Sequence, residues 1–349
     1  MQNPNIIVNM RCLLSPITGV QRYTTEIVEK FPKESYETIS PKITKYFFYG
    51  HLWEQLILPG KVKDKLLWSP ANTGPLSVKQ QVLSILDLST IDHPEWFSPK
   101  YSSWYRILLP NLAKRSKHIL TISEFSKRRI MEQFGISDEK ITVTYLAADK
   151  KFQPQSQNIV VETRKEFKLP EHYFLALSSL EPRKNLEKLL KTWGNIETKL
   201  PQDIWLVVAG GKGKSSVFKE LAFKQLPKRI IFTGYVPEKS LPGLYSGALG
   251  FIYLSVYEGF GLPPIEAMAC GVPVITSNST SLPEVVGDSS LLVNPLNEEE
   301  IGHAIQSLAE NSSLGQELRQ KGLERAQLFA WERTAAKTWQ VLDRMAEQN

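Results

Sequence analysis

Cysteine is nearly absent from this chain of 349 residues: Cys12 and Cys270 stand far apart, neither in a CxxC pair nor in a metal-spaced cluster. Disulfide and zinc frameworks are therefore not expected, and the cell interior is favoured. No run approaches the roughly 18 apolar residues that span a bilayer. The N-terminus also lacks the charged-then-apolar pattern of a secretory leader. A soluble or peripheral, cytoplasmic protein is expected. No Asp-x-Asp pair occurs anywhere, which removes the usual ligands of a metal-held diphosphate, so no metal and no bound cofactor are expected.

What is present is enough apolar material for a large core, with 42% hydrophobic residues, and a length that favours two domains. The charge is lopsided: residues 1–160 carry 21 Lys and Arg against 14 Asp and Glu, while residues 161–349 carry 21 against 22. A basic first half suits a solvated surface, a phosphate-bearing acceptor or an anionic membrane, and peripheral attachment at the inner membrane face is an expectation. Nucleic acid ranks last as a partner, because the basic residues are scattered and no nucleic-acid motif accompanies them.

Periodicity gives the organisation. Apolar runs at Asn5–Met10, Gln81–Leu86, His118–Ile122 and Ile141–Leu146 read as strands of a first domain. Helices are expected from Val20 to Phe31 and, behind a Ser123 cap, from Glu124 to Phe134. The pattern loosens between Ala147 and Pro170, so the domain boundary is set at 160/161. The second half alternates runs at Phe174–Leu177, Ile204–Ala209, Arg229–Thr233, Leu249–Leu254, Val272–Thr276 and Leu291–Val293 with helix-sized segments, which reads as a Rossmann-like parallel sheet. A final helix opens at Trp331.

Three stretches carry candidate chemistry. Glu258-Gly-Phe-Gly-Leu-Pro-Pro-Ile-Glu266 is a glycine-bearing loop turning into a helix, whose N-terminus attracts an anionic group. Glu258 sits at the carboxyl end of a strand, where ligands lie in open parallel sheets, and Glu266, read into the first helical turn, either complements the dipole or accepts from a vicinal diol. Glu181-Pro-Arg-Lys-Asn185 sets Arg183 and Lys184 before a helix for which Asn185 is the expected N-cap; two cations there oppose the dipole unless an anion lies between them. Ala209-Gly-Gly-Lys-Gly-Lys-Ser215 fails as a phosphate-binding loop of the Walker type, since Val208 stands where the first glycine belongs.

The two glutamates and the segment between them closely resemble the signature of retaining glycosyltransferases of family 4, which have the GT-B fold. The resemblance extends to Thr18-Gly-Val-Gln-Arg-Tyr23, Pro182-Arg-Lys-Asn185, and the bacterial segments around His51–Pro59 and Leu66–Pro75. It implies two Rossmann-like domains facing across a cleft, an N-terminal acceptor-side domain (1–160), a nucleotide-sugar domain (161–330) and a last helix (331–349) returning to the first. It further implies that Glu258, Arg183 and Lys184 serve catalysis. Gly19, Gly210, Gly234, Tyr235, Val236, Gly259, Phe260, Gly261, Leu262 and Glu266 would line the donor, with Asp87 and His93 toward the acceptor. A mannosyltransferase using GDP-mannose is the first choice, acting on a saccharide or lipid-linked saccharide with retention and without metal.

One departure stands out: relatives place His-Asp at the end of the strand where this chain has Leu86-Asp87, and leucine cannot donate a hydrogen bond. That motivates one alternative, a non-catalytic nucleotide-sugar-binding partner of an active transferase; a sugar phosphorylase is a separate one.

Overall fold

The computed structural model describes residues 5–14, 19–42, 47–179, 181–211 and 227–348. The chain divides into two compact units, one made of Met1–Leu146 with Ala330–Asn349 and the other of Ala147–Phe329. Among the described residues no helix is long and apolar enough to cross a membrane.

The first unit holds six parallel strands, β1 (Ile6–Asn9), β2 (Glu37–Ile39), β3 (Leu66–Ser69), β4 (Gln81–Ser84), β5 (His118–Thr121) and β6 (Ile141–Val143), in the order β2-β1-β3-β4-β5-β6. Two of these were not foreseen. β2 is a three-residue edge strand without apolar alternation, and β3 is buried on both faces, so its Leu-Leu-Trp-Ser run has no period to detect. The helix Pro99–Arg115 lays Tyr105, Leu108, Leu109 and Leu112 on Leu83, Ile85 and Ile119. The last helix, Trp331–Glu347, also belongs to this unit: Trp339 meets Phe31 edge-on at 5.0 Å, and Lys117 Nζ donates to the carbonyl of Met345 at 2.9 Å.

The second unit holds β7 (His172–Leu177), β8 (Ile204–Ala209), β9 (Ile230–Gly234), β10 (Gly250–Tyr253), β11 (Val274–Ser277) and β12 (Ser290–Val293), all parallel, in the order β12-β11-β10-β7-β8-β9. The helix Leu186–Ile196 shows why: Leu186, Leu189, Leu190, Trp193 and Ile196 recur on one face and are buried against Phe174, Leu206 and Val208. Burying Trp193 and the four aliphatic side chains is worth about 1.5–3 kcal/mol each. The unit begins earlier than residue 161. Residues 147–160 pack with it, through the Gln155 N–H donating to Ser246 Oγ at 3.1 Å and Phe152 lying edge-on to Tyr245 at 6.0 Å. Polar and proline-bearing composition read as a linker, but side-chain contacts made this stretch part of the fold.

The order in which strands are added reverses in the second sheet between β7 and its neighbour β10, because β8 and β9 extend one way and β11 and β12 the other. Ligands in open α/β sheets bind outside the carboxyl ends of the strands at such a point. The corresponding point of the first sheet lies between β1 and β3.

Candidate functional site

Both candidate loops of the second unit leave its sheet at that reversal. β7 runs through a single 3-10 turn, Pro182–Lys184, into the helix Leu186–Ile196, and β10 runs through residues 254–261 into the helix Leu262–Ala269. The loops are stitched together: the Val256 N–H donates to the Arg183 carbonyl at 2.8 Å, and Ser255 Oγ lies 3.0 Å from the same carbonyl.

At their junction Glu258 Oε1 collects four donors: Lys184 Nζ at 2.7 Å, Tyr253 OH at 2.7 Å, Ser255 Oγ at 2.8 Å and an Arg183 terminal nitrogen at 3.0 Å. The glutamate side chain is only 12% exposed. Burial by itself would raise its pKa, but the adjacent Lys184 and Arg183 charges and the Lys184 and Tyr253 hydrogen bonds outweigh it, and the carboxyl is held down at about 2. Burial likewise lowers Lys184, with Glu258 opposing. Arg183 loses to burial but gains more from Glu258 and Glu181, so its pKa rises.

Tyr253, at the end of β10, is a site residue that the sequence reading missed. It is buried, donates to Glu258, accepts from Lys184 and carries that ammonium 4.8 Å from its ring centroid. Its one signal was its place as the last strand residue before the loop, and an aromatic there reads as core.

Several expectations are corrected here. Beside the anion expected there, the chain itself supplies carboxylates to both cations, since Arg183 Nε also donates to Glu181 Oε2 at 2.7 Å. Glu181 lies on the same loop, and its 55% exposed side chain gave no sign of its target. Asn185 does not cap its helix. It is left-handed at φ 55°, and its side-chain amide donates to the Pro295 carbonyl at 2.7 Å. Glu266 is the fifth residue of its helix rather than a member of the first turn, and is 4% exposed with the Tyr245 hydroxyl 3.2 Å from Oε2. The helix starts at Leu262, one residue before the two prolines, which moves the carboxylate beyond the reach of the dipole's favourable end. Those prolines also lack N–H groups, so this terminus offers fewer backbone donors to an anion than an ordinary one.

The other donor-side candidates divide by geometry. Gly261 has φ 103° and a Cβ there would strike the Leu282 side chain at 2.6 Å; Gly210 has φ 100° and would meet the Ser178 carbonyl at 3.0 Å. Gly234, also left-handed, lies beside Gly210, whose N–H donates to its carbonyl at 2.8 Å. Tyr235 is exposed and Val236 buried. Leu262 is half-buried, and Gly259 is buried in the loop before it. Phe260 packs its side chain inward, edge-on to Phe329 at 5.6 Å, so only its backbone faces the loop's surroundings; its carbonyl accepts from Ser281 Oγ at 3.0 Å. Lys212–Ser215 of the glycine loop lie outside the described residues.

In the first unit Gly19 opens the helix Gly19–Val28, and residues 15–18 lie outside the described residues. Asp87 Oδ1 accepts from the backbone N–H and hydroxyl of Ser89 at 2.9 and 2.7 Å, which starts the short helix Ser89–Asp92. His93 stacks on Trp96 at 3.9 Å with Nδ1 3.0 Å from Glu95. Leu86 is buried, its N–H donating to Asn72 Oδ1 at 2.6 Å. The polar cluster of this unit lies elsewhere, at its own β1/β3 reversal. Glu54, fully buried in one turn of π-helix (Trp53–Ile57), accepts from Asn9 at 2.7 Å, Arg11 Nε at 3.3 Å and Thr73 at 2.5 Å. In sequence the stretch His51–Pro59 shows only a lone glutamate among aromatics, which carries no sign that three distant residues converge on it.

Among the described residues no group of three or more His, Cys, Asp or Glu is arranged to hold a metal ion.

Comparison with known proteins gives the family and the fold. Residues 161–326 match the family model described as Glycosyl transferases group 1. The O-antigen chain mannosyltransferase B of Escherichia coli is 34% identical over 284 residues, spanning 79% of this chain and 73% of that protein. The O-antigen chain mannosyltransferase RfbU of Salmonella typhimurium is 31% identical over 266 residues, 75% and 70% of the respective chains. Among solved structures, Anabaena HepE in complex with UDP-glucose matches at TM-score 0.75 and 16% identity, over 97% of this chain and 99% of that one. That likeness shows the GT-B fold.

Proposed function

Because the chain belongs to the group 1 glycosyl transferases, we propose that this glycosyltransferase moves mannose from GDP-mannose to a saccharide or lipid-linked saccharide, retaining anomeric configuration and needing no metal ion. The observation that carries this is the single Glu258 oxygen on which Arg183, Lys184 and Tyr253 converge at the β7/β10 reversal. Two cations held there keep N–H groups beyond those spent on carboxylates: Lys184 has three donors, of which Glu258 and Tyr253 use two. Departure of a nucleoside diphosphate builds negative charge, and fixed donors stabilise it without reorganising. Glu258 positions the transferred sugar and Glu266 accepts from the ribose hydroxyls. Mannose is favoured because the O-antigen relatives are mannosyltransferases, while the HepE complex holds UDP-glucose, so the base and the sugar are both under test.

The direct experiment is thermal unfolding with GDP, UDP, ADP and their sugars, each with a chelator present, since a ligand bound only by the folded state raises the Tm by mass action. GDP and GDP-mannose should stabilise most; a larger shift with UDP compounds would overturn the donor assignment. Glu266→Ala should weaken GDP binding about tenfold to a hundredfold, the range for lost hydrogen bonds to a charged group, with kcat at saturating donor changed less. Calorimetric titration of both proteins checks it, and equal affinities would remove Glu266 from the ribose.

Glu181 gives a prediction of opposite sign. An incoming diphosphate competes with this exposed carboxylate for Arg183, whereas Glu258 is buried and stays. Glu181→Gln should therefore tighten GDP binding about threefold, within the range of exposed ion pairs. Weaker binding in the same titration would mean that Glu181 orients Arg183 rather than competing with its ligand.

A further inference from the structure

Thr280 is held in a backbone conformation that its own side chain opposes. Its φ is 58°, and among the described residues it is the one β-branched side chain in the left-handed region. A branched Cβ crowds the backbone there, so the conformation persists only because the surroundings hold it. Strain of this kind gathers at functional sites, and Thr280 lies at one. It follows β11 and touches the loop that carries Glu258.

Three consecutive residues grip that loop. The Glu258 N–H donates to Thr280 Oγ1 at 3.3 Å, and the threonine hydroxyl gives its own proton to the Ser279 carbonyl at 2.8 Å. Ser281 Oγ lies 2.9 Å from the Glu258 carbonyl and 3.0 Å from that of Phe260. Leu282 fills the space beside Gly261, where a Cβ would strike it at 2.6 Å. Successive side chains of an extended chain point to opposite faces, and a left-handed residue breaks that alternation. The turn at Thr280 thus brings two adjacent hydroxyls to the N–H and the carbonyl of one residue. Lys184, Tyr253, Ser255 and Arg183 fix the carboxylate end of Glu258, and this segment fixes its backbone end.

We infer that Thr280 is a positioning residue for transfer: its left-handed backbone and its hydroxyl fix the Glu258 main chain, and through it the carboxylate that holds Arg183, Lys184 and Tyr253. This rests on the role given to Glu258 in the proposed transfer and adds a residue to the same site. A turn with no other task would be better served by glycine, which adopts this φ freely. Threonine brings what glycine lacks, a hydroxyl at the Glu258 N–H. One carboxylate oxygen has to stay within reach of four donors at once, so a shifted backbone would take it away from some of them.

Three variants of the whole protein test it. Thr280→Val keeps the branched shape and removes the hydroxyl, Thr280→Gly removes both, and Thr280→Ser keeps the hydroxyl alone. Thermal unfolding should place the glycine variant above the valine variant, because only glycine is unstrained at this φ. Transfer should not follow that order. The valine and glycine variants should both lose kcat about tenfold, the worth of one orienting hydrogen bond, with donor affinity little changed, and serine should recover most of the loss. Urea denaturation gives a readout that needs no transfer: the stability that wild type loses through Glu258 between about pH 4.5 and 2 should shrink in the valine and glycine variants and persist with serine. A wild type that transfers no sugar would remove the proposed transfer and leave the acid measurement to decide whether Thr280 governs Glu258. Wild-type kcat in the valine and glycine variants, a kcat that tracks Tm across all three, serine as slow as valine, or an acid window that none of them changes would overturn the proposal.

Discussion

Glu258→Gln is expected to cost about 3 kcal/mol of stability at neutral pH and to cut transfer by about two orders of magnitude. The stability figure follows from the carboxyl being held at about 2 against an ordinary value of 4.5. A group whose folded pKa is depressed stabilises the fold above its unfolded value and ceases to do so as pH falls through the folded one. The wild type should therefore lose this increment between about pH 4.5 and 2, and the glutamine variant, which has no charge to lose there, should not. Urea denaturation of both proteins across that window isolates the difference, because every other carboxylate titrates in both. Parallel curves would mean that the Glu258 ion pairs contribute nothing. The catalytic loss has a separate origin: glutamine preserves shape but not the charge that holds Arg183 and Lys184 in place, and a displaced cation no longer lies where the leaving group develops charge.

Lys184→Ala should leave the protein folded and binding nucleotide while lowering kcat about a hundredfold to a thousandfold, the range for removing one preorganised donor at a developing charge. Glu258 keeps Arg183, Tyr253 and Ser255 as partners, so no buried carboxylate is stranded and the stability change should be smaller than for Glu258→Gln. Steady-state kinetics with the donor varied separate the two effects. A fall in kcat with little change in GDP affinity marks a group acting mainly in the transition state. A raised KM at unchanged kcat would make Lys184 a ground-state anchor and would leave leaving-group stabilisation to Arg183.

Much of the second unit was legible because its strands alternate with amphipathic helices, and a period of 3.6 residues survives in the sequence whatever the tertiary context. Leu186, Leu189, Leu190 and Trp193 announced their helix and its buried face. The Glu258–Glu266 loop was legible for a different reason, since glycine at the left-handed position 261 and paired prolines admit few alternatives in backbone geometry. β2 and β3 were not legible, being short and without alternation.

Residue chemistry and spacing along the chain were thus sufficient for the parallel architecture of the second half, the two loops that carry its charged groups and the family to which they point. Partnership was decided by folding. That Glu258 receives Lys184, that Glu181 takes the other side of Arg183, that Tyr253 joins them and that Glu54 gathers Asn9, Arg11 and Thr73 all depend on residues up to 75 positions apart meeting at strand ends. A local pattern encodes the conformation of its own segment, whereas the energy of a buried charge depends on which distant groups pack beside it, and strand order brings those groups together.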